Sequence, residues 1–110
     1  MTTCAEIHEG VDVNVLRPGS FIDVETKSRH YFIECLGGNA MRISGHPEYC
    51  PTPVMAELQG SLDQRGTLEL GVIRPGRRVV FLLNNEDTPL QTSSVLSVHL
   101  DFDGEAKRYR

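Results

Sequence analysis

The sequence lacks tryptophan, contains little cysteine and has no long apolar run. Its three cysteines, Cys4, Cys35 and Cys50, are too sparse and odd in number for the disulfide framework of a small secreted domain. No stretch approaches the ~18 apolar residues that a membrane-spanning helix requires. Residues 1–10 show neither the basic nor the apolar segment of an export signal. We therefore predict a cytoplasmic protein with no membrane partner.

Charge and composition exclude two further classes. With 39% hydrophobic and 24% charged residues, the chain is unlike disordered sequences, which combine low hydrophobicity with high net charge. The formal net charge of −4 predicts no general attraction to nucleic acid, although a local basic patch can still bind it. A length of 110 residues predicts a single domain over 1–110, with loosely ordered tails at 1–10 and 101–110.

The hydrophobic pattern is that of short strands. Val11, Val13 and Val15 alternate with polar residues, as in a half-buried strand. Gly37-Gly38 indicates a hairpin, because both central residues of the favoured hairpin turn need positive φ. Further strands are predicted at 21–25, 29–36, 39–44, 54–62, 67–73, 77–83 and 90–100. The fold class is therefore all-β, a small antiparallel barrel or two-sheet roll of about seven strands. Helix signals are scarce, and the best candidate is a short turn at 2–9 in which Thr3 and Glu6 could form a capping box.

One internal similarity stands out. Residues 11–19 (VDVNVLRPG) are repeated 57 positions later by residues 68–76 (LELGVIRPG), and eight of the nine aligned positions are identical or conservatively matched. Each copy reads as a strand that ends at an Arg-Pro-Gly turn. The similarity predicts a pseudo-two-fold internal repeat. The alternative is convergence, because a Pro-Gly pair is a common way to end a strand.

The densest set of reactive side chains lies in the proline-rich segment 45–53. His46, Glu48, Tyr49 and Cys50 are candidate binding residues there, with Cys35 on the preceding hairpin. A His-x3-Cys spacing can chelate zinc, but a closed zinc site needs four ligands and the sequence has no Cys-x2-Cys pair. We therefore predict no metal, no cofactor and no catalytic residue. A small enzyme or metal protein that uses Cys50 and His46 remains an alternative.

The second Arg-Pro-Gly turn carries a basic cluster. Arg74, Arg77 and Arg78 could neutralise phosphates, which makes a nucleic-acid-binding barrel an alternative function. Against it, aromatic residues amount to only 6%, so few rings are present to stack on bases. A solvated turn explains Arg77 and Arg78 equally well.

Two segments suggest association. Residues 78–83 (RVVFLL) are almost continuously apolar, which predicts a strand covered on both faces, by a partner chain or by the chain's own loops. Leu96, Val98, Leu100 and Phe102 predict a second apolar face. We therefore expect a homodimer or a complex with another protein. The preferred function is a non-enzymatic binding or assembly module.

Overall fold

The regular secondary structure of the described residues is almost entirely β-strand. The computed structural model describes residues 4–7, 9–48, 50–83 and 89–101. Its strands are β1 Cys4–Ile7, β2 Val11–Asp12, β3 Phe21–Thr26, β4 His30–Gly37, β5 Ala40–Ser44, β6 Val54–Leu62, β7 Leu68–Leu70, β8 Val72–Ile73, β9 Arg78–Leu83 and β10 Leu90–Asp101. The predicted all-β class is confirmed, and the predicted bounds of β6 agree to the residue. This part of the chain contains no helix with the length and apolar character needed to cross a membrane.

Six of the strands close into an antiparallel barrel. Each of β3, β4, β5, β6, β9 and β10 pairs with the next, and β10 pairs back with β3. The long strand β10 makes closure possible, because its first half pairs with β9 and its second half with β3. The strands β1 and β7 extend the sheet beside β10 and β6, and β2 pairs with β8 in a separate two-stranded sheet.

The core fills the barrel with alternate side chains from its strands, as period-2 patterning requires. Fully buried aliphatic, aromatic and sulfur-containing residues form one cluster. Its largest members are Phe81, Ile22, Ile33, Met41, Ile43, Leu58 and Ile73. No buried side-chain nitrogen or oxygen within the described ranges lacks a hydrogen-bond partner. The interior is therefore occupied by side chains and leaves function to the outer surface.

The predicted hairpin at Gly37-Gly38 is present, shifted by one residue. Gly37 pairs with Ala40, so the two turn residues are Gly38 and Asn39. Gly38 has φ +56°, a left-handed conformation that glycine adopts without steric cost.

The predicted strand from Val11 to Val15 is wrong beyond Asp12. A 3-10 helix spans Val13–Val15, and the side chain of Asp12 accepts the N–H of Asn14 (3.0 Å) to cap it. Val13 turns into the core while Val15 is 77% exposed. The predicted strand 67–73 is likewise broken into β7 and β8 at Gly71.

The predicted loose tails need two corrections. Cys4–Ile7 forms β1 and pairs with the end of β10, so the expected capped helical turn is wrong for these residues. Asp101 is buried and lies opposite Phe21, so it belongs to the barrel. Residues 102–110, the rest of the second tail, lie outside the described part of the chain.

The predicted apolar face of Leu96, Val98, Leu100 and Phe102 is confirmed for Val98 and Leu100 but is wrong for Leu96. A β-bulge in β10 falls between Val95 and Ser97 and changes which side chains face inward. Val98 and Leu100 are therefore core residues, whereas Leu96 is 54% exposed on the outside. Phe102 is outside the described ranges. This segment offers no continuous apolar surface to a partner.

The two Arg-Pro-Gly turns share one geometry. In the first, Ser20 N–H donates to the carbonyl of Arg17 (3.1 Å), and in the second Arg77 N–H donates to that of Arg74 (3.3 Å). Gly19 and Gly76 have φ +94° and +87°, the values expected for glycine at the third position of a type II turn. Each glycine N–H also donates to the neighbouring strand, Gly19 to Cys35 (2.8 Å) and Gly76 to Val95 (2.9 Å). A common origin of the two segments stays a prediction.

Candidate binding surface

The proline-rich segment after β5 folds into a small closed loop. Gly45 N–H donates to the carbonyl of Cys50 (2.9 Å), and Cys50 N–H donates to that of His46 (3.0 Å). Gly45 has φ +128°, and a Cβ there would lie 2.2 Å from the carbonyl oxygen of His30. The loop base therefore packs directly against β4, and only glycine fits at that contact.

Cys50 in this loop and Cys35 on β4 are both buried thiols. Cys50 and Cys35 are free and belong to the core. Burial raises the pKa of the Cys35 thiol to about 11, with a smaller contribution from Glu34. Burial also raises the pKa of Cys50, partly opposed by its hydrogen bond with the backbone of His46. Since the thiolate is the nucleophile and the metal ligand, these environments do not favour either role.

His46 and Glu48 shape the loop. The ring Nδ1 of His46 accepts the N–H of Glu48 (3.1 Å). Burial, followed by the charge of Arg29, lowers the pKa of His46, and Glu48 opposes the shift. A neutral ring that accepts a backbone hydrogen bond at Nδ1 is consistent with these effects. Glu48 is exposed, and Tyr49, the remaining candidate here, lies outside the described residues. Where the structure is described, no group of three or more His, Cys, Asp or Glu residues could hold a metal ion.

Arg74 is engaged in an ion pair. Its Nε and Nη2 donate to the two carboxylate oxygens of Glu69 at 2.8 Å each, and its Nη1 donates to the backbone carbonyl of Glu9. Arg77 reaches the same carboxylate (Nη1 to Oε1, 3.0 Å). The hydrogen bond with Arg74 is the largest influence that lowers the pKa of Glu69. The predicted arginine cluster is therefore partly neutralised, and Arg74 is largely committed to holding the turn in place.

Ser61 fixes the position of the same turn from the inside of the barrel. Its hydroxyl donates to the carbonyl of Val72 (2.7 Å) and accepts the N–H of Arg74 (3.0 Å). Ser61 is fully buried on β6, and both of its hydrogen bonds go to the backbone on either side of Ile73. The second Arg-Pro-Gly turn is thus held by β6 as well as by Glu69.

A shallow groove runs between this turn and the turn that joins β6 to β7. Its volume is about 350 Å³, and it is lined by Asp63, Gln64, Arg65, Gly76 and Arg77. A smaller depression of about 60 Å³ continues from it to Arg78 and Ser94. Arg65 and Arg78 are exposed, and their side chains make no ion pair within the described part of the chain. Unlike Arg74, they are available to a ligand.

Sequence reasoning found Arg77 and Arg78 but missed Asp63, Gln64 and Arg65. The predicted strands 54–62 and 67–73 leave residues 63–66 as their connection, but nothing local indicates that this connection faces Gly76. That proximity comes from the pairing of Leu62 with Arg78 at the end of the β6–β9 ladder. Predicting the groove required the order of strands around the barrel.

The outer side of β9 is an apolar surface. Val79, Phe81 and Leu83 point into the core, whereas Val80 is half-buried and Leu82 is 36% exposed. The chain's own loops therefore leave Leu82 on the outer face of this strand exposed, and cover by a partner chain stays a prediction.

Neighbouring strands extend that surface. Their register aligns Leu70, Gly60 and Val80 in one row and Leu68, Leu62 and Arg78 in the next. Because directly paired residues share a side of a sheet, these leucines lie beside Val80 and Leu82. We call Leu62, Leu68, Leu70, Val80 and Leu82 the outer patch. Leu70 is 73% exposed and Leu68 37% exposed, so the patch is accessible.

Comparisons were made with protein-family models, with curated proteins and with solved structures. No family model, curated protein or solved structure matches this chain.

Function must therefore be argued from two adjoining features, the outer patch and the arginine-lined groove. An apolar patch rimmed by polar groups is typical of an interaction surface. A concave surface with unpaired guanidinium groups can hold an anion. Both are binding chemistries and need no nucleophile or metal.

Proposed function

We propose that the protein is a non-enzymatic binding and assembly module that self-associates through the outer patch. The observation that carries the proposal is the exposure of Leu70 and Leu82 next to Val80 on one side of the barrel. Burying a large aliphatic side chain is worth ~1.5–3 kcal/mol when it is fully exposed beforehand. Several partly exposed side chains buried together therefore favour association.

A second copy of this chain is the partner that the surface fits best. Arg78 and Glu57 are both exposed and flank the patch, Arg78 in the row of Leu62 and Glu57 opposite Leu82. In a two-fold dimer the same patch faces itself. A two-fold axis near Val80 brings Arg78 of each copy towards Glu57 of the other, so the charges at the two ends are complementary.

The test is the mass of the protein in solution at micromolar concentration, by light scattering. We expect a dimer for the natural chain and a monomer for Leu70→Glu, because Leu70 lies in the row of Val80 and the axis would bring its two carboxylates together inside the patch. Leu96→Glu is the matched control, since Leu96 is also an exposed leucine but lies on the bulge of β10, outside the patch. A monomeric natural chain, or equal effects of both variants, would contradict the proposal.

A nucleic-acid-binding barrel is the second candidate. The exposed guanidinium of Arg78 beside the groove favours it, while the shared carboxylate of Glu69 reduces the charge that Arg74 and Arg77 can offer. Retention on a polyanion column separates the two functions. Phosphate contacts make retention fall steeply with salt, whereas self-association through apolar side chains needs no polyanion.

We also infer that the two Arg-Pro-Gly segments are copies of one ancestral unit. The matching turn hydrogen bonds and the matching positive φ of Gly19 and Gly76 support this. The residues before the turns differ, because Val13–Val15 is a 3-10 helix where the second copy has a strand break at Gly71.

A cytoplasmic location is part of the same proposal. Cys35 and Cys50 are free thiols, as is usual for proteins kept in a reducing compartment.

A further inference from the structure

We propose that the groove between the Asp63–Gly66 turn and the second Arg-Pro-Gly turn binds a small phosphate-bearing molecule. This inference goes beyond self-association, because it concerns a polar concavity at the end of the outer patch. Its volume of about 350 Å³ lies within the range of small-molecule sites in proteins.

The charge of the lining favours an anion. Arg65, Arg77 and Arg78 border the groove and its continuation, against one carboxylate, Asp63, in the lining itself. Arg65 and Arg78 have no ion pair within the described ranges. Binding an anion there would supply the opposite charge that Arg65 lacks, and in the proposed dimer Arg78 would be shared between the anion and Glu57 of the second copy.

The geometry favours an oxyanion over a simple halide, and the three bordering arginines favour the several oxygens of a phosphate over the two of a single carboxylate. A guanidinium group presents a planar fork of N–H donors that matches phosphate oxygens. Glu69 holds Nη1 of Arg77 at 3.0 Å, which fixes that side chain while its other N–H groups stay available. The ligand would therefore meet one oriented arginine and two that can move onto it.

Asp63 has a structural role that explains an acid in such a place. Its Oδ1 accepts the N–H groups of Arg65 and Thr67, both at 2.9 Å, and Gly66 N–H donates to its carbonyl (3.1 Å). These bonds form the turn that presents Arg65. The carboxylate charge itself opposes an anion, so it limits the affinity of the site.

A small ligand fits better than a polynucleotide. A single strand needs a basic track with aromatic rings along it, whereas these arginines are concentrated at one depression and the chain as a whole carries a net charge of −4. The site is therefore sized for one or two phosphate groups.

Pyrophosphate titration, followed by amide chemical shifts, tests the site. We expect saturable shifts at Arg65, Gly76 and Arg77, and weaker binding as salt is added. Arg65→Gln should weaken binding about tenfold, since it removes a charge-assisted contact. Arg42→Gln is the matched control, because Arg42 pairs with Glu34 on β5, and it should leave binding unchanged.

Asp63→Asn tests the charge of the groove without disturbing the turn. The amide oxygen can still accept the two backbone N–H groups, so the turn is preserved, while the repelling charge is lost. We expect pyrophosphate to bind about threefold more tightly. No saturable shift at the groove, or no effect of either Arg65→Gln or Asp63→Asn, would overturn the proposal.

Two further measurements separate a small-ligand site from a nucleic-acid interface and from self-association. If a single-stranded oligonucleotide binds the groove far more tightly than pyrophosphate does, the small-ligand proposal is wrong and a nucleic-acid interface replaces it. Light scattering on the same samples reports association separately. A monomer that binds pyrophosphate would contradict only self-association, and a dimer that does not bind it would contradict only the groove site.

Discussion

At the scale of single residues, the two thiols show how burial changes the chemistry that a sequence suggests. Cys50 and His46 are close in the chain and lie opposite each other in an isolated β-bridge. Cys50 N–H donates to the carbonyl of His46, the Cys50 thiol is also hydrogen-bonded to the backbone of His46, and the Cys50 side chain is buried in the core. Proximity in sequence therefore identified a real structural pair, but the burial of the Cys50 thiol does not favour a nucleophilic or metal-binding role.

Thiol reactivity should report this burial. In a Cys4→Ser background, we expect Cys35 and Cys50 to resist iodoacetamide in the native protein and to react readily in urea. For Cys35, a pKa of about 11 instead of 9 leaves about a hundredfold less thiolate at neutral pH. Mass spectrometry counts the adducts. Rapid native labelling of Cys50 would revive a nucleophilic role.

The ion pairs of Glu69 should make stability depend on pH. Because Arg74 and Arg77 lower the pKa of this carboxyl below its ordinary 4.5, their contribution is present above that value and is lost as pH falls through the lowered pKa. Glu69→Gln should therefore lower the urea midpoint at neutral pH, and its difference from the natural chain should shrink in acid. Glu48→Gln, at an exposed site, is the control and should show no such convergence.

At the scale of elements, glycines mark where strands meet closely. The ladder between β6 and β9 bulges between Leu58 and Gly60, and β7 pairs with β6 at Gly60, opposite Leu70. A Cβ at Gly60 would lie 2.1 Å from the carbonyl oxygen of Glu69. The strand β7, which carries Leu68 and Leu70, can pair this closely with β6 only because Gly60 has no side chain.

Replacing two glycines by alanine separates contact from backbone conformation. Gly66 has φ +87° and open space where a Cβ would lie, so Gly66→Ala should cost about 1 kcal/mol, from conformational strain alone. Gly60→Ala adds the clash with β7 and should cost about 3 kcal/mol in free energy of unfolding. Urea denaturation measures both. Equal losses would mean that β7 shifts without cost.

The elements that sequence predicted well are those fixed by local pattern. The strand β6 and the hairpin at Gly38 follow from alternation and from turn chemistry, which act over a few residues. The 3-10 helix after Asp12 was missed because Val13 N–H donates to Gly71 (2.9 Å), a partner 58 positions away in the sequence. The bulge of β10 was missed for a similar reason, since it depends on pairing with both β3 and β9.

At the scale of the whole molecule, the all-β barrel could be predicted but its closure could not. Alternation indicates strands and short turns indicate antiparallel neighbours, yet neither says which strands lie side by side after a loop. The candidate site was likewise predictable only in the part that local sequence determines. Arg77 and Arg78 were visible as a basic cluster, whereas Arg65 joins them only through the β6–β9 ladder.

The long strand β10 also constrains when the protein can fold. It pairs with β9, β3 and β1 and is the last strand of the described chain, so a ribosome must release residues up to Asp101 before the barrel can close. Until then β3 and β9 expose unpaired edges, which invite pairing with other chains. We expect nascent chains arrested before β10 emerges to be cleaved rapidly by added protease, and chains arrested well beyond Asp101 to resist. Protection of the shorter chains would show that the first strands form a stable sheet by themselves.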